Sequence, residues 1–403
     1  MAENLRVEVG SGQPIWACGM MTGTSMDGLD MALIRTDGEA LFEFGPTWFA
    51  PLWPGLRARL SARLDEIAAL PEAVVAERAR WPSWLVALED DVTAFHQWAL
   101  DGFRADARPL HPFDLPQQTP WQGLREVRSG AVGVHGQTVL HRPEAGITLQ
   151  LFKSMFAATL PVVSDFRQAD MAAGGEGAPL APFYHWALAR HVGFTEPVAF
   201  LNLGGVANIT WVDPQAEAPE LPGALVAFDT GPANALIDDL VCARTGASHD
   251  AGGRLAAAGT IHRERLHSNA AAAYLARPGP KSLDRNAFQA VRKAVEPLST
   301  EDAAATLTAF TAECVAAALP HLPSEPTRWL VCGGGRLNTT LMAMLSERLQ
   351  APVEPVEAHG LDGDMLEAQC FAFLAVRVLR GLATSAPSTT GCRQPTVGGR
   401  IGG

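Results

Sequence analysis

Asp165 closes the apolar run Pro161-Val162-Val163-Ser164 and is followed by Arg167, Asp170 and a glycine-rich stretch at 174–177. A carboxylate leaving the end of a buried strand beside such a stretch is where a general base for a hydroxyl or a water would sit. The plainer alternative is an aspartate paired with Arg167 to anchor a turn. Four further loops offer phosphate-holding chemistry. The first contains Gly23, Thr24, Ser25, Met26, Asp27, Gly28, Leu29 and Asp30, and the second contains Asn202, Gly204, Gly205 and Asn208. The third contains Asp229, Thr230 and Gly231, and the fourth contains Gly333, Gly334, Gly335 and Asn338. Small residues let main-chain amides approach phosphate oxygens, hydroxyls add donors, and a carboxylate such as Asp27 or Asp229 can hold magnesium through water. The first loop is neither a GxxxxGK[ST] loop nor a GxGxxG fingerprint, and Asp-Gly is a common turn pair, so a plain hairpin fits it equally well.

The elements that must position these residues can be read from periodicity. Residues 15–20 and 31–36 form two strands around the first loop, a third strand covers 41–49, and residues 56–105 read as inserted helices. Residues 109–123, rich in Pro and Gln, read as a loop. Strands return at 131–134, 147–151 and 160–164, and a helix covers 179–192. A second glycine-tipped hairpin, 198–203 with 206–212, opens the second half, followed by a strand at 225–228 and a helix at 233–244. Further helices are expected at 300–319, 338–349 and 365–382, with strands at 329–332 and 353–356. Alternating strands and helices argue for α/β domains. The boundaries expected are 1–194 and 195–384, with a disordered tail at 385–403 whose composition is rich in Ser, Thr, Gly and Pro. His135 and Gln137 follow the strand at 131–134, and Glu367 stands in the first turn of the last helix. A lone histidine is often structural, and a carboxylate there often only complements the helix dipole.

At 403 residues the chain exceeds what one core usually organises. Its 47% apolar and 18% charged composition is that of a globular protein. The net charge of −12 and the lack of a basic run argue against nucleic acid as a partner. The overall field repels anions, so an anionic ligand has to be held by local amides, a metal ion or individual basic side chains. Six dispersed cysteines, Cys18, Cys242, Cys314, Cys332, Cys370 and Cys392, argue against structural zinc or a disulfide framework. With no signal-like start and no uninterrupted apolar stretch of about 18 residues, a cytoplasmic location without membrane association is expected.

The segments GMMTGTSMDGLD, VGVHGQTVLHRP, PVVSDFRQADMAAGGEGAPLAPFYH, LNLGGVANIT, FDTGPANALIDD, PKSLDRNAF and VCGGGRLN occur in one order. Together they resemble the anhydro-N-acetylmuramic acid kinase family. The resemblance implies a two-domain actin-like ATPase (sugar kinase) fold with ribonuclease H-like cores and ATP in an interdomain cleft. Residues 23–30 and 202–208 would then be phosphate elements, 229–231 would lie near the phosphates or Mg2+, and 333–335 would approach the adenosine. Asp165 maps to the family's catalytic aspartate, and Glu367 matches an acidic position in the last helix that would help orient a water. His135, Gln137, Arg167 and Asp170 would be sugar contacts. The implied reaction opens 1,6-anhydro-N-acetylmuramic acid with water and phosphorylates the freed O6 from ATP, in peptidoglycan recycling by a homodimer. Leu283-Asp284 replaces the family's usual Thr-Gly, and Ala233 stands where glycine is common. Rival readings are a kinase of an ordinary sugar or amino sugar, and an actin-like or chaperone-like ATPase acting on proteins.

Overall fold

The computed structural model describes residues 12–23, 25–104, 130–153, 160–266, 269–281, 283 and 288–402. The expected loop at 109–123 and the position of Thr24 lie outside these residues. The chain divides into two units, Met1–Gly177 with Glu367–Ala386 and Cys392–Gly403, and Ala178–Leu366 with Pro387–Gly391.

The first unit is built on strands β1 (Ile15–Thr22), β2 (Gly28–Thr36), β3 (Leu41–Pro51), β4 (Gly130–Val134), β5 (Gln137–Arg142), β6 (Ile147–Leu151) and β7 (Val162–Ser164). β1, β2 and β3 form an antiparallel meander, while β4 and then β7 add parallel to β1. β4 is buried at every position, as expected for a parallel strand covered on both faces. β5 and β6 form a separate hairpin. The inserted helices Pro54–Ala68 and Ser83–Arg104 send Leu56, Leu60, Leu85, Val92 and Phe95 into the core beneath β1 to β3.

The second unit repeats the plan with β8 (Val198–Leu203), β9 (Val206–Val212), β10 (Leu225–Pro232), β11 (Trp329–Cys332) and β12 (Val353–Pro355). β8, β9 and β10 are antiparallel neighbours, and β11 and β12 continue parallel to β8. Each unit thus carries a three-strand meander whose first strand is extended by two parallel strands. This is the ribonuclease H-like core of the actin-like ATPase fold, present twice. The long apolar helix Thr300–Ala316 is a core element, with all but a few of its residues buried.

The structure divides the chain differently from the sequence expectation at three places. The helix Pro182–Val192 belongs to the second unit, because its buried face, including His185, packs on the second sheet: His185 Nδ1 lies 2.9 Å from Thr210 Oγ1 and its ring stacks on Phe200 at 4.5 Å. The last helix, Leu366–Leu379, belongs to the first unit. It lies directly on β1 and β4 because Gly19 and Gly133, register partners in those strands, lack side chains. A Cβ on Gly19 would stand 1.7 Å from the Ala368 carbonyl oxygen, and one on Gly133 2.0 Å from that of Phe371.

The tail expected to be disordered is ordered. Strand β13 (Arg400–Gly402) pairs antiparallel with β7 and extends the first sheet, and Ser385 bridges Thr396. Residues 387–391 join the second unit, where the Ala227 amide donates to Ser388 O at 3.1 Å. Small hydroxyl residues read as unstructured, yet here they satisfy their own backbone. The Gly398 amide donates to Thr384 Oγ1 at 2.7 Å, and Thr384, Ser385, Thr389 and Thr390 are buried.

Candidate active site

In the first unit the parallel strands β1, β4 and β7 deliver their carboxyl ends side by side, which is where α/β sheets assemble sites. Asp165 follows β7 and adopts a left-handed backbone with φ 57°, a strained conformation that aspartate tolerates better than most residues. Burial pushes its carboxyl above the usual carboxylate range, against Arg400 and the Gln168 amide, which favour the ionised form. A half-buried, strained carboxylate with raised proton affinity has the character of a general base.

The partly buried Arg167 pairs with the buried His135. Arg167 donates from Nη2 to His135 Nε2 at 2.9 Å and from Nη1 to Gly177 O at 2.6 Å. A guanidinium only donates, so His135 is neutral with its proton on Nδ1. Burial, then the Arg167 charge, holds its pKa well below the ordinary histidine value. Burial lowers the pKa of Arg167, against the Glu367 and Asp170 carboxylates, which favour its charged form. Glu367, exposed in the first turn of its helix, is therefore in the field of the same arginine. Gln137 donates to Gly23 O at 3.1 Å and ties β5 to the first hairpin tip.

Two residues expected to touch sugar are instead buried structural groups. His135 is packed 4.7 Å from the Phe371 ring. Asp170 is fully buried and accepts from the Gly177 amide at 2.8 Å and the Ser385 hydroxyl at 2.5 Å, fastening the glycine segment to the tail. Arg167 is held on its buried side by His135 and Gly177.

The first hairpin tip is closed by its own side chains. Asp27 Oδ1 accepts from Ser25 Oγ at 2.7 Å and from the Gly28 amide at 3.1 Å, and the Met26 amide donates to Gly23 O at 3.2 Å. Met26 and Leu29 are core residues of the first unit, so their expected place among the phosphate contacts is corrected: apolar side chains at a turn flank are drawn into the core.

The second unit supplies a different kind of tip. Asn234 Nδ2 donates to Leu203 O at 2.9 Å, the Asn234 amide to Gly204 O at 3.0 Å, and the Ala233 amide to Gly205 O at 3.0 Å. These carbonyls all turn toward the start of helix Asn234–Thr245. In trans peptides the Gly204 and Gly205 N–H groups then face the other way, as in an anion-binding nest. A Cβ on Gly204 or Gly205 would meet nothing closer than 3.6 Å, so packing does not demand glycine there. The register aligns Asn202, Asn208 and Asp229 across β8, β9 and β10.

Asp229 is braced from outside the sheet. Its amide donates to Lys281 O at 2.9 Å, its Oδ2 accepts from the Leu283 amide at 2.8 Å, and its carbonyl accepts from Tyr274 Oη at 2.9 Å. Thr230 is buried and donates to Ala207 O at 3.3 Å, and a Cβ on Gly231 would stand 2.6 Å from that of Cys314. These two face the core, so of the third loop Asp229 alone retains a place in the row of polar groups.

The triple glycine is corrected similarly. Gly333, with φ 72°, would place a Cβ 2.3 Å from Asn202 Oδ1, and Gly335 one 2.5 Å from Leu203 Cβ. Both are glycine because β8 lies against them, whereas a Cβ on Gly334 would meet nothing closer than Asn234 Nδ2 at 3.9 Å. Asn338 caps helix Thr339–Arg348 by accepting from the Leu341 amide at 3.0 Å. Sequence reading missed Arg336, which donates to Gly333 O at 3.1 Å and pairs with Glu357 at 2.7 Å and Asp364 at 2.8 Å. A charged residue directly after three glycines was the available signal. Among the described residues no group of three or more His, Cys, Asp or Glu is placed to hold a metal ion. Single carboxylates such as Asp27 and Asp229 suit magnesium, which keeps several waters and takes its remaining ligands from phosphate.

The family model for anhydro-N-acetylmuramic acid kinase matches residues 119–402. Proteins named anhydro-N-acetylmuramic acid kinase from Cereibacter sphaeroides and Ruegeria sp. are 50% and 46% identical to this chain, covering 97% and 96% of it and 96% and 95% of their own lengths. A relative from Jannaschia sp., named anhydro-N-acetylmuramic acid kinase 1, is 49% identical over 96% of this chain and 95% of its own.

Proposed function

The chain belongs to the anhydro-N-acetylmuramic acid kinase family, and from that premise we propose that it opens 1,6-anhydro-N-acetylmuramic acid with water and transfers the γ-phosphoryl group of ATP to the freed O6. The observation that carries this reading is Asp165: a single carboxylate, half-buried and strained, presented at the end of β7, which runs parallel to β4 in the first sheet. In the proposed reaction it removes a proton from the water that attacks the anomeric carbon. The bond from that carbon to the bridging oxygen breaks, and the oxygen takes the phosphoryl group, with ADP leaving. Glu367 orients the water, and the Arg167–His135 pair fixes the floor on which Asp165 and Glu367 stand. The Gly204 and Gly205 amides and the first hairpin tip hold ATP phosphates. Asp27 or Asp229 would hold Mg2+ through water, and the ion would supply neutralisation of phosphate charge. Positioning and electrostatics supply most of the catalysis in phosphoryl transfer.

This activity would serve peptidoglycan recycling in the cytoplasm, and the family resemblance suggests a homodimer. The test is incubation with magnesium-ATP and the anhydro sugar, with the product read by mass at early times in heavy-oxygen water. The expected product is heavier than the substrate by water and a phosphoryl group, with solvent oxygen at the anomeric carbon. Phosphorylation of free amino sugars with the anhydro sugar refused would identify an ordinary sugar kinase.

A further inference from the structure

The ordered tail brings a second charge to the candidate base. β13 places Arg400 opposite Ser164, the residue before Asp165, and the Arg400 guanidinium lies 3.7 Å from Asp165 Oδ2. The two partners differ in exposure: the Arg400 side chain is 81% exposed and that of Asp165 26%. Arginine therefore gives up little hydration to make the contact, while the carboxylate, half-removed from water, gains a countercharge it lacks locally. Asp165 has little freedom to seek another partner, since its backbone is fixed in the left-handed region and the Gln168 amide supports its carboxylate. Arg167, two residues on, is turned to His135 and Gly177, and Glu367 acts on Arg167. Among the described residues, the groups that act on the Asp165 carboxylate are thus Arg400 from β13 and the neutral Gln168 amide from the following helix.

We propose that Arg400 is a positioning residue for Asp165, carried on the last strand of the chain, which orients the carboxylate and keeps it ionised until substrate arrives. The proposal rests on the reading of Asp165 as the general base. Burial raises the proton affinity of Asp165 and Arg400 lowers it, so removing Arg400 leaves less of the base ionised at a given acidic pH. The acidic limb of kcat/KM then moves to higher pH. For an exposed pair the shift is about 0.2–0.7 pH unit at low ionic strength, and salt erases it.

The experiment uses the full chain and the variants Arg400→Ala and Arg400→Lys. Carbon-13 NMR follows the Asp165 carboxyl, assigned by its loss in Asp165→Asn, and kcat/KM for the anhydro sugar is measured against pH at low and high salt. We expect Arg400→Ala to raise both the NMR titration midpoint and the acidic limb at low salt, and Arg400→Lys to restore most of each. High salt should bring the wild type to the Arg400→Ala value. An Asp165 midpoint that stays put in Arg400→Ala at low salt overturns the proposal. A midpoint that moves while the rate limb does not overturns Asp165 as the base, leaving Arg400's hold on the carboxylate intact. A variant that lowers Tm without moving either titration shows that Arg400 is only a strand residue.

Discussion

The two units begin with the same three-strand meander yet prepare different chemistry from it. The first unit works with side chains: Ser25 and Asp27 close its hairpin tip, Gln137 ties that tip to the next strand, and Asp165 waits at the end of β7. The second works with backbone: successive carbonyls from Leu203 to Gly205 are drawn to one helix start, which turns the intervening amides outward. A shared strand order therefore sets where a site forms. The groups around each tip decide whether it offers carboxylates or amides.

The largest effect expected from breaking this division is in the first unit. Asp165→Asn should lower kcat by about 10²–10⁴-fold while leaving ATP affinity close to wild type, because general-base catalysis is lost and the amides of the second unit are untouched. Asparagine tolerates the left-handed backbone, and a neutral side chain suits a half-buried site, so Tm should hold or rise. Steady-state kinetics, nucleotide titration and calorimetry check this, and a parallel loss of ATP binding would contradict it.

In the second unit the strongest change is to stability. Gly333→Ala should cost about 3 kcal/mol in denaturant unfolding, since its Cβ would overlap Asn202 and its φ of 72° disfavours alanine.

Acid should separate the units next. His96 and His141 in the first unit are held by burial at about 4, with His135 also well below the ordinary value, whereas the second unit has His185 at about 3. Unfolded histidines bind protons near 6.5 and these folded ones do not, so their contribution is complete above 6.5 and is lost as pH falls toward 4. Hydrogen exchange at pH 7 and pH 5 should show the first unit loosening more than the second.

The smallest effect is the most diagnostic. Gly204→Ala should change stability by less than about 0.5 kcal/mol, because the added methyl would make only an ordinary contact with Val206 O at 3.6 Å, yet raise KM for magnesium-ATP several-fold. An unchanged KM would mean that the outward amides are only a turn.

Much was determined by the sequence alone. The hairpins, the alternation of strands and helices and the positions of Asp165, Asp229 and Gly204-Gly205 follow from local pattern, because apolar periodicity and turn chemistry act over a few residues. Tertiary structure decided which polar residues face outward and which elements share a sheet. Asp170, Thr230 and Asn338 have the right types for ligand contacts, but Asp170 and Thr230 are buried in hydrogen bonds and Asn338 caps a helix. The last helix returns to the first sheet because Gly19 and Gly133 leave it room, and Arg400 meets Asp165 only because the tail pairs with β7. Those contacts join residues more than two hundred positions apart. Nothing in a local window records them, since close packing and strand pairing select partners by shape and register rather than by distance along the chain.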